Sequence, residues 1–167
     1  IDSETMPELR GFEHFWSAID PASKERLVDE RVVELVSAAS PSRVLDYGCG
    51  RGRIAMSVSR SGAEVVAYDP DTTLREEWAR LQGGGVRFLG VGDLPELRAG
   101  AAPFDVIVCC LVICTLRDRE ARAVLDDVRA LLGQEGVALV VVCNPGCVAT
   151  QTALQQRILP DGWSENE

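Results

Sequence analysis

A chain of 167 residues with 17 Lys and Arg against 26 Asp and Glu, a formal charge of −9, lacks the basic clusters from which phosphate-binding proteins draw affinity, so no nucleic-acid partner is expected. The composition, 46% hydrophobic and 26% charged, is that of one ordinary globular domain and excludes a disordered or fibrous chain. The longest apolar run, residues 106–116, is too short for a bilayer, which takes about 20 residues as a helix, so no membrane partner is expected either. No basic-then-apolar leader opens the sequence, and six cysteines without a regular framework fit free thiols in a reducing, cytoplasmic setting.

In chain order, residues 1–20 gather Phe12, Phe15 and Trp16 around His14, the single histidine, at helical spacing. Asp20 then caps a helix that has Pro21 at its first position. Val28, Val32, Leu35, Val36 and Ala39 hold one apolar face until Pro41 stops it. Residues 1–40 read as a helical lead-in and substrate lid, residues 41–167 as an α/β core, the two forming a single domain. From residue 43 onward, short apolar runs alternate with amphipathic ones, as in strand–helix units around a parallel sheet. Strands are expected over 43–47, 64–68, 86–89, 106–109 and 137–143, and helices over 54–61, 72–81 and 119–132. Residues 83–85 and 132–136 read as turns. The fourth and fifth strands are almost wholly apolar, which predicts cover on both faces and a central position.

The first strand runs into Asp46, Tyr47, Gly48, Cys49, Gly50, Arg51 and Gly52, and a helix follows. Glycines at such a bend let main chain approach a ligand where a Cβ would collide. Amides at the helix N-terminus are expected to face an anionic or carboxylate-bearing group. A nicotinamide fingerprint needs glycine at its first, third and sixth positions. The sixth, counted from Gly48, is Arg53, which counts against a nicotinamide-dependent oxidoreductase. Asp69, at the tip of the second strand, can accept both hydroxyls of a ribose or cap the helix after it. Asp93, after the third strand, is a candidate ligand contact or a turn residue. Arg51 and Arg53 reach a ligand carboxylate or lie in solvent, and Trp78 and Trp163 read as packing residues. Cys110, Cys114, Cys143 and Cys147 converge if the topology holds, but each pair has three intervening residues where zinc sites have two, so no metal is expected.

The run 44–52, VLDYGCGRG, resembles motif I of the class I S-adenosylmethionine-dependent methyltransferases, and Asp69 their motif II. Residues 103–110 resemble their fourth-strand motif, 111–116 the stretch closing over adenine and methionine, and 132–137 the turn into the fifth strand, so that the resemblance spans 27–144. It implies a Rossmann-like, doubly wound, mainly parallel α/β core with strand order 3-2-1-4-5, binding S-adenosylmethionine. By that resemblance Gly48, Gly50 and Gly52 contact the methionine portion, Asp46 helps to hold its amino group, and Asp69 takes the ribose. Asp93 and Leu94 meet adenine, with Cys49, Pro70 and Cys110 in the same cofactor-binding set. After the fifth strand the chain departs from the family, since 144–167 offer one helix over 150–158 and not the last two strands. A sheet truncated at five is expected, its apolar edge covered by a second copy or an additional domain. The implied function is methyl transfer to a small-molecule acceptor; the alternative is a non-catalytic S-adenosylmethionine-binding or scaffolding module. A sulfonium donor is already activated, so alignment matters more than a base. His14 and Asn144 are the catalytic candidates, the first as the one group titrating near neutrality, the second by its place after the fifth strand; a surface histidine and a strand-ending turn are the plainer readings.

Overall fold

The alternating pattern folds as helix α1 (Pro21–Ala39), β1 (Arg43–Tyr47), α2 (Arg53–Val58), β2 (Glu64–Tyr68), α3 (Arg75–Leu81), β3 (Val86–Leu89), α4 (Leu94–Gly100), β4 (Phe104–Cys110), α5 (Asp118–Leu131) and β5 (Leu132–Val141). The computed structural model describes residues 21–81, 84–100 and 102–142. Asp29–Val142 form one compact unit. His14, Asn144, Cys143, Cys147, Trp163, the aromatic lead-in and the helix expected over 150–158 lie outside the described residues.

All strand pairs are parallel, in the order β3-β2-β1-β4-β5, which is the expected Rossmann-like order. Because side chains alternate along a strand, Leu45 and Tyr47 join Val66, Tyr68, Leu89, Phe104, Ile107, Val128 and Leu131 in one core cluster. Val44 and Asp46, on the other face of β1, are equally buried, as are Ile54, Ala55 and Val58 of α2. Every strand connection in the unit carries a helix, so the tips of β1, β2, β3 and β4 end on the same side of the sheet. A ligand crevice forms at that side in open α/β sheets.

Three expectations are corrected. β5 does not sit in the centre: among the described residues it is an edge strand, with Val137 51% and Val140 41% exposed. Its valine-rich run resembles a buried strand, but the central position belongs to β1, whose Leu45 is fully buried. Residues 132–136, expected as a turn, belong to β5. Leu132 pairs with Phe104, and a register shift follows before Val137 pairs with Val106. The two glycines allow this, for a Cβ at Gly133 or Gly136 would stand 3.3 or 2.9 Å from the Phe104 carbonyl oxygen. Finally, α4 went unread, because Pro95 and the short apolar spacing resemble a turn. Proline is tolerated in a first helical turn, where its missing N–H costs nothing.

Candidate functional site

The glycine bend between β1 and α2 holds three left-handed residues, Gly48, Gly50 and Gly52, with φ of 81°, 52° and 77°. A side chain is excluded at two of them by neighbours. A Cβ on Gly48 would stand 2.2 Å from Cγ2 of Val112, and one on Gly52 would stand 2.6 Å from the ring of Phe88. Gly50 differs: among the described residues a Cβ there would meet nothing within 4 Å, so within them its left-handed turn faces open space.

The bend is tied to the tip of β2 at several points. Gly48 N and Cys49 N both donate to the Tyr68 carbonyl, at 2.7 and 3.0 Å, and Gly52 N donates to the Cys49 carbonyl at 2.9 Å. Gly50 N donates to Asp69 Oδ2 at 2.8 Å. The other Asp69 oxygen accepts from Asp71 N at 2.9 Å. The helical turn after β2 is capped by Asp71, whose carboxylate accepts from Thr73 N at 2.9 Å, so the capping role weighed for Asp69 falls to its neighbour. Of the amides near this helix start, those of the bend and that of Ala55 are already engaged. The N–H groups of Gly48, Cys49, Gly50 and Gly52 are satisfied within the protein.

Beneath the bend, Asp46 is 2% exposed and its Oδ2 accepts from Ala55 N, in the first turn of α2, at 3.1 Å. A buried carboxylate thus already occupies the positive end of this helix. Burial, only partly offset by that hydrogen bond, pushes the Asp46 carboxyl up to about 7, and the nearby charges of Asp29 and Asp69 push the same way. Arg51 lies 3.6 Å from Glu77, and Arg53 donates to Asp29 at 2.8 Å, so each of these arginines is paired with an acid. The electrostatic character of the bend is therefore acidic, which suits a ligand carrying positive charge better than a pyrophosphate.

The remaining residues of the predicted set lie on the same side of the sheet. Asp93 closes the turn after β3, its Oδ2 accepting from Gly90 N at 2.8 Å. Leu94 opens α4 and packs against the core cluster. Pro70 follows Asp69 and is exposed. Cys49 and Cys110 are half-buried free thiols. Burial drives the Cys49 thiol far above the usual range and that of Cys110 up to about 12, so both stay protonated near neutrality. Among the described residues no cluster of three or more metal-ligating side chains occurs.

Three contributors were missed in the sequence. Trp78, 4% exposed, donates from its indole Nε1 to the Gly50 carbonyl at 2.9 Å and stacks on Phe88 with ring centroids 5.4 Å apart. The clue was available, because a buried indole N–H needs a partner. Val112, against Gly48, follows Leu111, whose φ of 59° is strained for a side-chain-bearing residue. Tyr47 donates to Asp127 Oδ2 at 2.7 Å, and Arg98 reaches the same carboxylate at 2.6 Å, joining β1 to α4 and α5 below the bend.

Comparison with known proteins agrees with this fold. A family model described as a methyltransferase domain matches residues 22–164. The ubiquinone biosynthesis O-methyltransferase of Xylella fastidiosa is 34% identical, over 74% of this chain and 52% of its own length. An uncharacterised methyltransferase of Oceanobacillus iheyensis is 26% identical, over 77% of this chain and 58% of its own. The chain thus spans about half the length of the curated relatives it matches. Among solved structures, a TehB-like SAM-dependent methyltransferase from Corynebacterium glutamicum superposes with a TM-score of 0.57 at 25% identity, covering 83% of this chain and 84% of that one. A SAM-dependent methyltransferase from Archaeoglobus fulgidus, at 18% identity and a TM-score of 0.58, covers 72% of this chain and 53% of its own and shares the fold.

Proposed function

The chain belongs to the class I S-adenosylmethionine-dependent methyltransferases, and from that premise we propose that its crevice binds S-adenosylmethionine and presents the methyl group to a small-molecule acceptor. The observation that carries the reading is the 2.8 Å contact between Gly50 N and Asp69 Oδ2, which brings a ribose-competent acid and a glycine bend into one place. When bound, the cofactor supplies an already activated methyl on a sulfonium, so the protein's task is alignment and exclusion of water.

The donor set suits that group. Open space over Gly50 admits an amino-acid portion against main chain. Asp46 ionises when a ligand ammonium arrives to offset its burial, and so holds the amino group. Asp69 accepts the ribose hydroxyls, Asp93 and Leu94 meet adenine, and Gly48, Cys49, Gly52, Pro70 and Cys110 line the remainder. A dinucleotide is the poorer fit, because the bend offers its phosphates neither free amides at Gly48, Cys49, Gly50 and Gly52 nor an unpaired Arg51 or Arg53. A small acceptor is supported by the chain's acidity and by the Xylella fastidiosa relative's name. No described helix is long and apolar enough to cross a membrane; a reducing, cytoplasmic location is supported by the free thiols of Cys49, Cys109, Cys110 and Cys114.

Isothermal titration with S-adenosylmethionine, followed by transfer of a labelled methyl group to a panel of phenols, amines and carboxylic acids, tests the proposal. Binding with transfer to one class establishes it. Binding without transfer to any favours a non-catalytic cofactor-binding module.

A further inference from the structure

We propose that Trp78 is a positioning residue for the cofactor, acting through Gly50; the inference rests on the reading of this crevice as the S-adenosylmethionine site. Gly50 is gripped from both sides. Its N–H is taken by Asp69 at 2.8 Å, and its carbonyl accepts from the Trp78 indole at 2.9 Å, so the peptide groups on either side of its Cα are fixed. Among the described residues the only other donor at that carbonyl is the Cys49 thiol at 3.6 Å, a weak one. Gly50 is also the one of the three left-handed glycines over which no atom of the described residues is packed. Packing therefore does not hold its conformation; these two hydrogen bonds do.

The two grips do not have the same fate on binding. Asp69 is the acid that a ribose claims, and each of its oxygens also accepts a main-chain N–H, one from Gly50 and the other from Asp71. A ribose hydroxyl that donates to Asp69 shares the carboxylate with Gly50 N, so the hold on the N–H side of Gly50 is divided. The Trp78 hydrogen bond is not shared in this way. Its ring is buried and stacked on Phe88, and Phe88 itself lies under Gly52, so one rigid aromatic pair supports both later glycines of the bend. Trp78 thus keeps the bend in its ligand-accepting shape while Asp69 serves both the bend and the ribose, and its hydrogen bond counts for more once the ribose is bound.

The test compares wild type with Trp78→Phe, which keeps an aromatic ring on Phe88 and removes the N–H. Titration with S-adenosylhomocysteine is expected to give about tenfold weaker binding in the variant, the loss typical of one buried hydrogen bond, at unchanged stoichiometry. A purely structural role would lower the melting temperature and the binding-competent fraction while leaving the Kd of that fraction alone. A Kd within twofold of wild type overturns the proposal. If Trp78→Phe shows no cooperative unfolding transition, the wild-type protein decides: the Trp78 indole N–H resonance, assigned with Trp16→Phe and Trp163→Phe, shifts on titration with the same Kd as the calorimetry, and an unmoved resonance at saturation overturns it. Failure of wild type to bind S-adenosylhomocysteine instead brings down the cofactor reading itself.

Discussion

Gly50 N donates to Asp69 Oδ2 at 2.8 Å, so the acid at the tip of β2 ties down the glycine bend after β1. On the proposed reading the same carboxylate has two functions, holding the bend and receiving the ribose, and they separate by substitution. Asp69→Ala loses both and is expected to weaken S-adenosylmethionine binding by about 1–3 kcal/mol. Asp69→Asn keeps one acceptor for Gly50 N and retains most of the wild-type stability, yet still binds more weakly. Calorimetric titration beside thermal melts resolves the pair.

The three glycines are not equivalent, although the sequence presents them as one motif. Gly50→Ala places its Cβ in open space, so the variant should fold with a penalty of about 1–2 kcal/mol for the left-handed backbone and lose cofactor affinity by more than tenfold. Gly48→Ala meets Val112 at 2.2 Å and should lose stability first, by roughly 3 kcal/mol of overpacking and strain. Adding Val112→Ala should restore part of that loss. Urea titrations of the two single variants and the double variant check the order.

Asp46 makes stability depend on pH with a definite sign. Its carboxyl titrates near 7 in the fold against 3.8 when exposed, so between those values the folded chain holds a proton that the unfolded chain has released. Stability therefore falls as pH rises from about 4 to about 7 and levels off above. Asp46→Asn should flatten this part of the profile and raise stability at pH 8. If Asp46 receives a ligand ammonium, wild-type affinity should climb through the same window, with proton release on binding seen in buffers of different ionisation enthalpy, and Asp46→Asn should show neither effect.

How far the sequence disclosed this molecule depends on how local each determinant is. The first three strands, Arg43–Tyr47, Glu64–Tyr68 and Val86–Leu89, were read with their observed bounds, because a short apolar run between turn residues defines itself. Sheet order and the meeting of Asp69 with the glycine bend followed from the family's pattern, and the structure bears out that order. The place of β5 was misjudged, since a run of valines does not say whether a neighbour covers it. The helix at Leu94–Gly100 was missed because Pro95 signals a turn and a helix start alike. Most instructive is Trp78, read as packing. That its indole would find the Gly50 carbonyl depends on the distance between α3 and the bend, which no local pattern encodes.

The buried link below the bend predicts a stability effect distinct from binding. Asp127 accepts from Tyr47 at 2.7 Å and from Arg98 at 2.6 Å, so Asp127→Ala leaves a buried phenol without its acceptor and should cost about 2–3 kcal/mol. Tyr47→Phe should cost about 1 kcal/mol, and the two should not add, because either removes the same contact. Arg98→Ala should cost less than about 1 kcal/mol, as its guanidinium is half exposed. A double-mutant cycle in chemical denaturation reads these values.

The central claim, that the bend and the tip of β2 together bind the adenosyl amino acid, is tested most directly by solving the structure of this chain with S-adenosylhomocysteine. The account predicts ribose hydroxyls within hydrogen-bonding distance of Asp69 and the amino-acid portion lying over Gly50. Density for the ligand elsewhere on the sheet, or ribose hydroxyls out of reach of Asp69 at saturating ligand, would contradict it.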